Sequence, residues 1–266
     1  MSTLEEIAQL RSALRSDDVA WLQAVVTDWQ IIADLAFSDL VLWIPDAEEK
    51  GNWAAAQVRP ATGPTTLLLD VVGTFQPAGT EFQGLAVSVV VDGRVVGVVE
   101  VRASGTGARV ESALEAAYRD SAEDLLGMIA RGEFPHLGIR SELADSLRVG
   151  DGFIRLGTDG VVEYASPNAL SAYRRLGLVE DLAGADLGTI TAELVDGKPT
   201  HRGVRGALRG REPAELEVEG DDVSVGLRLI PLRHQGVTSG AIRASPTTLM
   251  CSVSPAALTA SSSARL

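Results

Sequence analysis

Leu85-Ala86-Val87-Ser88-Val89-Val90-Val91-Asp92-Gly93-Arg94-Val95-Val96-Gly97-Val98-Val99-Glu100-Val101 holds two runs of β-branched residues around an Asp-Gly pair. Asp and Gly tolerate the positive φ angles of a type I′ turn, whose twist matches that of paired strands. The stretch therefore predicts an antiparallel hairpin. Working outward, Leu40–Ile44 ends at Pro45, Trp53–Arg59 ends at Pro60, and Thr65–Val72 follows a loop that contains Gly63. Each run is short, apolar and bounded by a breaker, so each reads as a strand.

Helical periodicity flanks these strands. Val19, Leu22, Val26, Trp29, Ile32 and Ala36 recur on one face of a helix over Ser16–Phe37, with Ser16 or Asp17 as its cap and Asp34 off the apolar face. A shorter amphipathic stretch, Thr3–Arg15, precedes it. A second long helix is expected over Val110–Arg131, with Leu114, Ala117, Tyr118, Leu125, Met128 and Ile129 on its apolar face. Helix, antiparallel strands, helix is an α+β pattern.

Gly132–Leu147 reads as a connector. Beyond it, Phe153–Leu156 and Val161–Ala165 flank Asp159-Gly160, a second hairpin signal. A short helix over Ala169–Leu176 stops at Gly177. Helical pieces at Asp186–Leu194 and Val204–Arg209 precede three strand-like runs, Ala214–Glu219, Val223–Leu232 and Thr238–Arg243. Two strands, short helices and three strands is the chain order of a PAS domain. From Ser245 to Leu266 Ser, Thr, Ala and Pro dominate, and Leu249, Met250, Val253, Leu258 and Leu266 share no helical face. A disordered tail is expected there. The expected organisation is a first domain over 1–146, a second over 147–244 and a tail over 245–266.

Composition narrows the function. The 266 residues are 45% hydrophobic and 22% charged, enough for a packed core. A net charge of −13 disfavours nucleic acid and anionic membranes, which need a cationic face. No apolar run approaches the roughly 20 residues of a spanning helix, and the acidic start at Glu5 and Glu6 is unlike a signal peptide. Cys251 is the single cysteine, so no internal disulfide forms. A cytoplasmic location is expected.

Several stretches resemble the cytosolic GAF–PAS sensor histidine kinases of actinobacteria, whose kinase half is of the HWE-related type. In the first domain these are Trp29 to Leu40, Arg59 to Thr65, Ala122 to Leu125 and Met128 to Pro135. In the second they are Arg148 to Leu156 and Ala165 to Gly177. The similarity extends over roughly residues 20 to 243. It implies a GAF-like antiparallel sheet flanked by helices, then a PAS-like domain. In that family a helix with a phosphoacceptor histidine and an ATP-binding domain follow. Neither pattern occurs after Arg243, so the chain is expected to lack both and to have no enzymatic activity of its own. The resemblance also implies a homodimer, a small-molecule signal, and a response regulator reached only through the missing kinase half. A stand-alone GAF–PAS adaptor is the alternative. Dimer contacts are expected on the apolar faces of the two long helices.

The candidate catalytic and binding residues reinforce this reading. His201 is followed by Arg202, as in a phosphoacceptor motif, but Gly203 and Gly206 weaken any helix there. His136 and His234 stand in a connector and before a turn, and none of the histidines neighbours Cys251, so no metal site is expected. Gly105-Thr106-Gly107 lacks the Lys-Ser/Thr of a phosphate loop. Asp17-Asp18, Glu48-Glu49 and Asp221-Asp222 read as solvated charge, and Ser166 has no nucleophile context. No cofactor is expected. Asn168 is expected to fix a strand-to-helix turn. Trp29 reads as core. Phe37, Trp43 and Trp53 are divided between core packing and the lining of a ligand cavity, and the signal itself is not legible.

Overall fold

A computed structural model describes residues 3–103, 111–134, 148–157, 159–194, 214–219, 224–233 and 247–255. Two units emerge, Met1–Gly138 with Leu232–Pro246 and Ile139–Pro231 with Thr247–Leu266.

In the first unit, helix α1 (Leu4–Arg11) opens on a capping box between Thr3 and Glu6. Helix α2 (Ser16–Ala36) has Arg15, not Ser16 or Asp17, at its N-cap. The Asp18 carboxylate accepts from the Arg15 backbone N–H at 3.2 Å and from the Arg94 guanidinium at 2.7 Å. Only 1% of Asp18 is exposed, so the expectation of a solvated Asp17-Asp18 pair holds for Asp17 alone. Leu22, Trp29 and Ile32 face inward as the periodicity predicts, with Val25 in place of Val26. Ile31, Ala33, Asp34 and Leu35 are buried too, because the chain beyond residue 58 returns across this end of the helix.

Strands β1 (Ser38–Pro45), β2 (Gly51–Val58), β3 (Phe75–Pro77), β4 (Leu85–Val91) and β5 (Arg94–Ala103) form an antiparallel sheet in the order β3-β2-β1-β5-β4. The predicted hairpin is β4–β5, with φ of 48° at Asp92 and 74° at Gly93. Side chains alternate between the two faces. A Cβ on Gly97 would lie 2.8 Å from Trp43 O of β1, 3.4 Å from the Leu42 side chain and 3.7 Å from that of Leu22 on α2. Val41, Trp43 and Val98 take the other face. Helix α3 (Ala113–Arg131), capped by Ser112 and closed by Gly132 at φ 71°, packs against α2 and β4. The strand expected over Thr65–Val72 does not form. Its amides are taken by side chains, and only Leu67 of the run is buried while Leu68 and Leu69 point to solvent.

The second unit contains β6 (Phe153–Leu156), β7 (Val162–Ala165), α4 (Pro167–Arg175), α5 (Leu187–Leu194), β8 (Ala214–Glu219), β9 (Ser224–Arg233) and β10 (Thr247–Pro255). Its sheet runs β7-β6-β10-β9-β8. The expectation of disorder from Ser245 is therefore corrected over Thr247–Pro255, which forms the middle strand. Leu249, Cys251 and Val253 alternate with Met250, Ser252 and Ser254. That is a period of two, which a test for a helical face misses. The register sets Leu249 opposite Leu156 and Cys251 opposite Ile154. Ile154 and Leu156 belong to a core with Tyr173, Leu182, Leu187 and Leu227. The strand expected over Thr238–Arg243 and the helical piece over Val204–Arg209 lie outside the described residues, as does 256–266. Among the described residues no helix is long and apolar enough to cross a membrane.

A middle strand has two neighbours to lose. Deleting residues 247–266 is expected to lower the calorimetric melting temperature by at least about 4 °C, the shift that a loss near 1 kcal/mol gives a small domain. An unchanged transition would return this segment to the status of a tail.

Candidate functional site

Residues 59–84 join β2 to β4 by way of β3, and part of this strap covers the sheet face turned away from α2. Leu67 is its apolar anchor, packed with Val41, Trp43 and Ala54, and Phe82 and Val71 close the cluster. Trp43 is 5% exposed and its ring lies 6.2 Å from that of Phe82.

Three fully buried carboxylates hold the strap: Asp34, Asp39 and Glu100. A buried charge is tolerated only when donors surround it. Asp34 sits in the last turn of α2, where Oδ1 accepts from Ala61 N at 2.7 Å and Gln30 Nε2 at 2.9 Å. Asp39 enters β1 facing the strap. It accepts from the hydroxyls of Thr65 and Thr66, each at 2.7 Å, from Leu67 N at 3.0 Å and from Thr66 N. Burial by itself would raise the Asp39 pKa, but these hydrogen bonds outweigh it and hold the carboxyl below its ordinary value. Glu100 on β5 accepts from Gln83 N at 2.7 Å, Trp43 Nε1 at 2.8 Å and the Arg102 guanidinium at 3.0 Å. Gln57 Oε1 accepts from Val71 N, and Arg59 Nε donates to Leu67 O, both at 2.9 Å.

Between α2 and β1, Phe37 has φ 49° and ψ 36°. A left-handed conformation costs a residue with a Cβ about 1–2 kcal/mol. Its ring stacks on Tyr118 of α3, centroids 5.7 Å apart and planes 16° from parallel. Gly63 of the strap lies so close that a Cβ there would approach Phe37 Cβ to 3.2 Å.

Other residues singled out in the sequence fall elsewhere. Trp53 Nε1 donates to Asp46 Oδ1 at 2.9 Å, and its ring lies beside Phe75 and beneath the Arg11 guanidinium. Trp29 is buried in α2. Glu48 and Glu49 are exposed, and Glu48 pairs with Lys50. Ser166 Oγ caps α4 and accepts from Phe153 N at 2.9 Å. Asn168 Nδ2 donates to Gly150 O at 2.7 Å. His136, His201, His234, Gly105-Thr106-Gly107 and Asp221-Asp222 lie outside the described residues. In the second unit the buried Tyr173 hydroxyl meets Thr191 Oγ1 at 2.9 Å. Among the described residues no three His, Cys, Asp or Glu side chains are grouped to hold a metal ion. Sequence reasoning missed Asp34, Asp39 and Glu100. A signal is present for the two on strands, since Glu100 is an acid inside an apolar run and Asp39 stands immediately before one.

The first unit is thus a sheet backed by helices on one face and covered on the other by a strap held through side chains. A family model described as "Histidine kinase PdtaS, GAF domain" matches residues 4–86. The chain is 36% identical to "Sensor histidine kinase PdtaS" of Mycolicibacterium smegmatis, the match covering 91% of this chain and 54% of that protein. It is 37% identical to the protein of that name from Mycobacterium tuberculosis H37Rv, covering 91% and 55%. A solved "Sensor region of a sensor histidine kinase" superposes with a TM-score of 0.83 at 35% identity, over 96% of this chain and 98% of that one. The chain belongs to the PdtaS family of sensor histidine kinases and corresponds to their sensory region. It spans about half the length of the curated relatives it matches.

Asp39→Asn sets an amide N–H against the donors of Thr65, Thr66 or Leu67, whichever way it flips. A loss of about 1–3 kcal/mol in urea unfolding is expected at neutral pH. The Asp39 pKa is lower folded than unfolded. Its contribution is therefore complete above the unfolded value of about 3.9 and is lost as pH falls through the folded one. The gap between wild type and variant should be constant from pH 5 to 7 and narrow only below about pH 4. A gap that shrinks already near pH 6 would count against this role.

Proposed function

We propose that the chain is the signal-input part of a cytoplasmic two-component sensor histidine kinase, and that the signal is a small molecule admitted beneath the strap of the first unit. The agreement with a solved sensor region over 96% of the chain carries the first half of this reading. The second half rests on the strap. Outside the stretch around β3, which pairs with β2, its amides are bound by Asp34, Asp39, Glu100 and Gln57 rather than by a strand ladder, so these parts open without dismantling the sheet. A ligand entering there displaces Leu67 and Phe82 from Trp43.

The second unit reads as a PAS-like domain. Its sheet order is second, first, fifth, fourth, third strand, with α4 and α5 between the second and third strands. The working form is a homodimer. The large exposed apolar side chains of the described residues lie off α2 and α3, whose apolar stripes are used inside the first unit, so the dimer contact involves other surfaces. In this reading the kinase chemistry is assigned to the part of the relatives that this chain does not match, about half of their length.

Labelled ATP is expected to leave the purified chain unlabelled. A chimera in which it replaces the sensory region of the M. smegmatis relative should autophosphorylate. Trp43→Ala in that chimera should change the rate about fivefold or more, the scale of a coupling between sites. Stoichiometric acid-labile label on the chain alone would overturn the reading. So would a chimera that phosphorylates identically with and without Trp43.

A further inference from the structure

Phe37 joins three elements at one point. It closes α2 in the left-handed region, a position that glycine usually fills. Glu49 and Asp92, the other described non-glycine residues with positive φ, stand in turns between strands, whereas the Phe37 ring lies flat on Tyr118 of α3. On its other side is the strap, with Gly63 against its Cβ. Asp34, three residues before it, holds Ala61 N and, through its backbone carbonyl, the Thr62 hydroxyl at 2.5 Å. Asp39, two residues after it, holds Thr65, Thr66 and Leu67. The strap is thus fastened on both sides of Gly63 to the residues that flank Phe37.

We propose that Phe37 is a strained latch that reports the position of the strap to α3. While the strap is seated, its bonds to Asp34 and Asp39 keep the α2–β1 turn closed and Phe37 in the left-handed conformation, with its ring on Tyr118. When the strap lifts, those bonds are lost, the turn relaxes toward φ < 0, and the ring leaves Tyr118. Both ends bias one element with two arrangements, which is the physical requirement for coupling between sites. Helix α3 is the last described helix before the chain passes to the second unit, so a change at Tyr118 enters the segment that leads onward. The signalling role of the latch rests on the strap being the cover of the signal site. The mechanical link itself does not, and it is testable without any ligand.

Gly63→Ala is the sharpest probe. Gly63 has no left-handed φ, so alanine adds no backbone strain of its own, and the three atoms nearest its methyl all belong to Phe37, at 3.2–3.6 Å. Hydrogen exchange followed by mass spectrometry on the full chain should show the amides of residues 113–122 exchanging about tenfold faster in Gly63→Ala. Tyr118→Leu should raise the same amides, and adding Gly63→Ala to it should change them no further. Tyr118→Phe, which keeps the ring, should respond to Gly63→Ala as the wild type does. If Gly63→Ala fails to fold, Phe37→Gly takes its place. It removes strain and ring together and should loosen 113–122 while leaving 59–67 protected. Faster exchange confined to 59–67, or additive effects in the double variant, would overturn the proposal. Success here with a chimera indifferent to Trp43 would leave the latch standing and remove only the strap as signal cover.

Discussion

Three carboxylates removed from water, Asp34, Asp39 and Glu100, set the form of the first unit. Each accepts hydrogen bonds from a segment distant in sequence. Replacing one of them alone by an apolar residue would strand the donors that it satisfies, at a cost of about 1–3 kcal/mol for each left buried. What the carboxylates add is position. Leu67 alone gives the strap little apolar anchorage, and Leu68 and Leu69 contribute none from solvent. The donors of Ala61, Thr65, Thr66, Leu67 and Gln83 meet acceptors at fixed points on the sheet and on α2, so the strap has one seat. A segment held by directed polar bonds over a thin apolar contact is specific when seated and inexpensive to lift, because water satisfies the same donors once they are exposed.

The same logic explains why the helices take the other face. Leu40, Leu42 and Ile44 of β1 are fully buried on that face, as are Leu22 and Ile32 of α2. That side is a packed hydrophobic layer, costly to disturb. The sheet therefore has one face covered by packed apolar layers and one covered by a segment held largely through directed polar bonds. Two interactions cross between them at the edge of β1: the Asp34 and Asp39 bonds to the strap, and the Phe37–Tyr118 stack to α3.

Much of this architecture is legible in the order of the amino acids. The Asp92-Gly93 hairpin, both long helices and the second hairpin follow from turn chemistry and periodicity, and the structure has them within a few residues at each end. Local patterns fail where the deciding partner is distant. Thr65–Val72 has the composition of a strand, yet Asp39 and Gln57 claim its amides before a neighbouring strand does. Asp18 reads as solvated charge because Arg94, its partner, is 76 residues away. Trp43 and Trp53 are indistinguishable in sequence, both indoles on adjacent strands. The β2 bulge at Ala55 and the distinct acceptors, Glu100 and Asp46, send one beneath the strap and the other beside α1.

The second sheet shows the reverse failure, a strand hidden by its surroundings. Thr247–Pro255 lies among serines, alanines and prolines, and average composition there is that of a disordered segment. The alternation from Leu249 to Ser254 outweighs that average, because a strand with neighbours on both sides gains its stability from pairing. Its position also has a consequence for the whole unit. β10 is the last described strand in the chain and the middle one in space, paired with β6 from the start of the unit. The hairpins β6–β7 and β8–β9 each form from local pairing, but they belong to one sheet only after β10 enters between them. The closing contact therefore carries the largest loop-closure cost of the unit, and it is made by the strand at its C-terminal end.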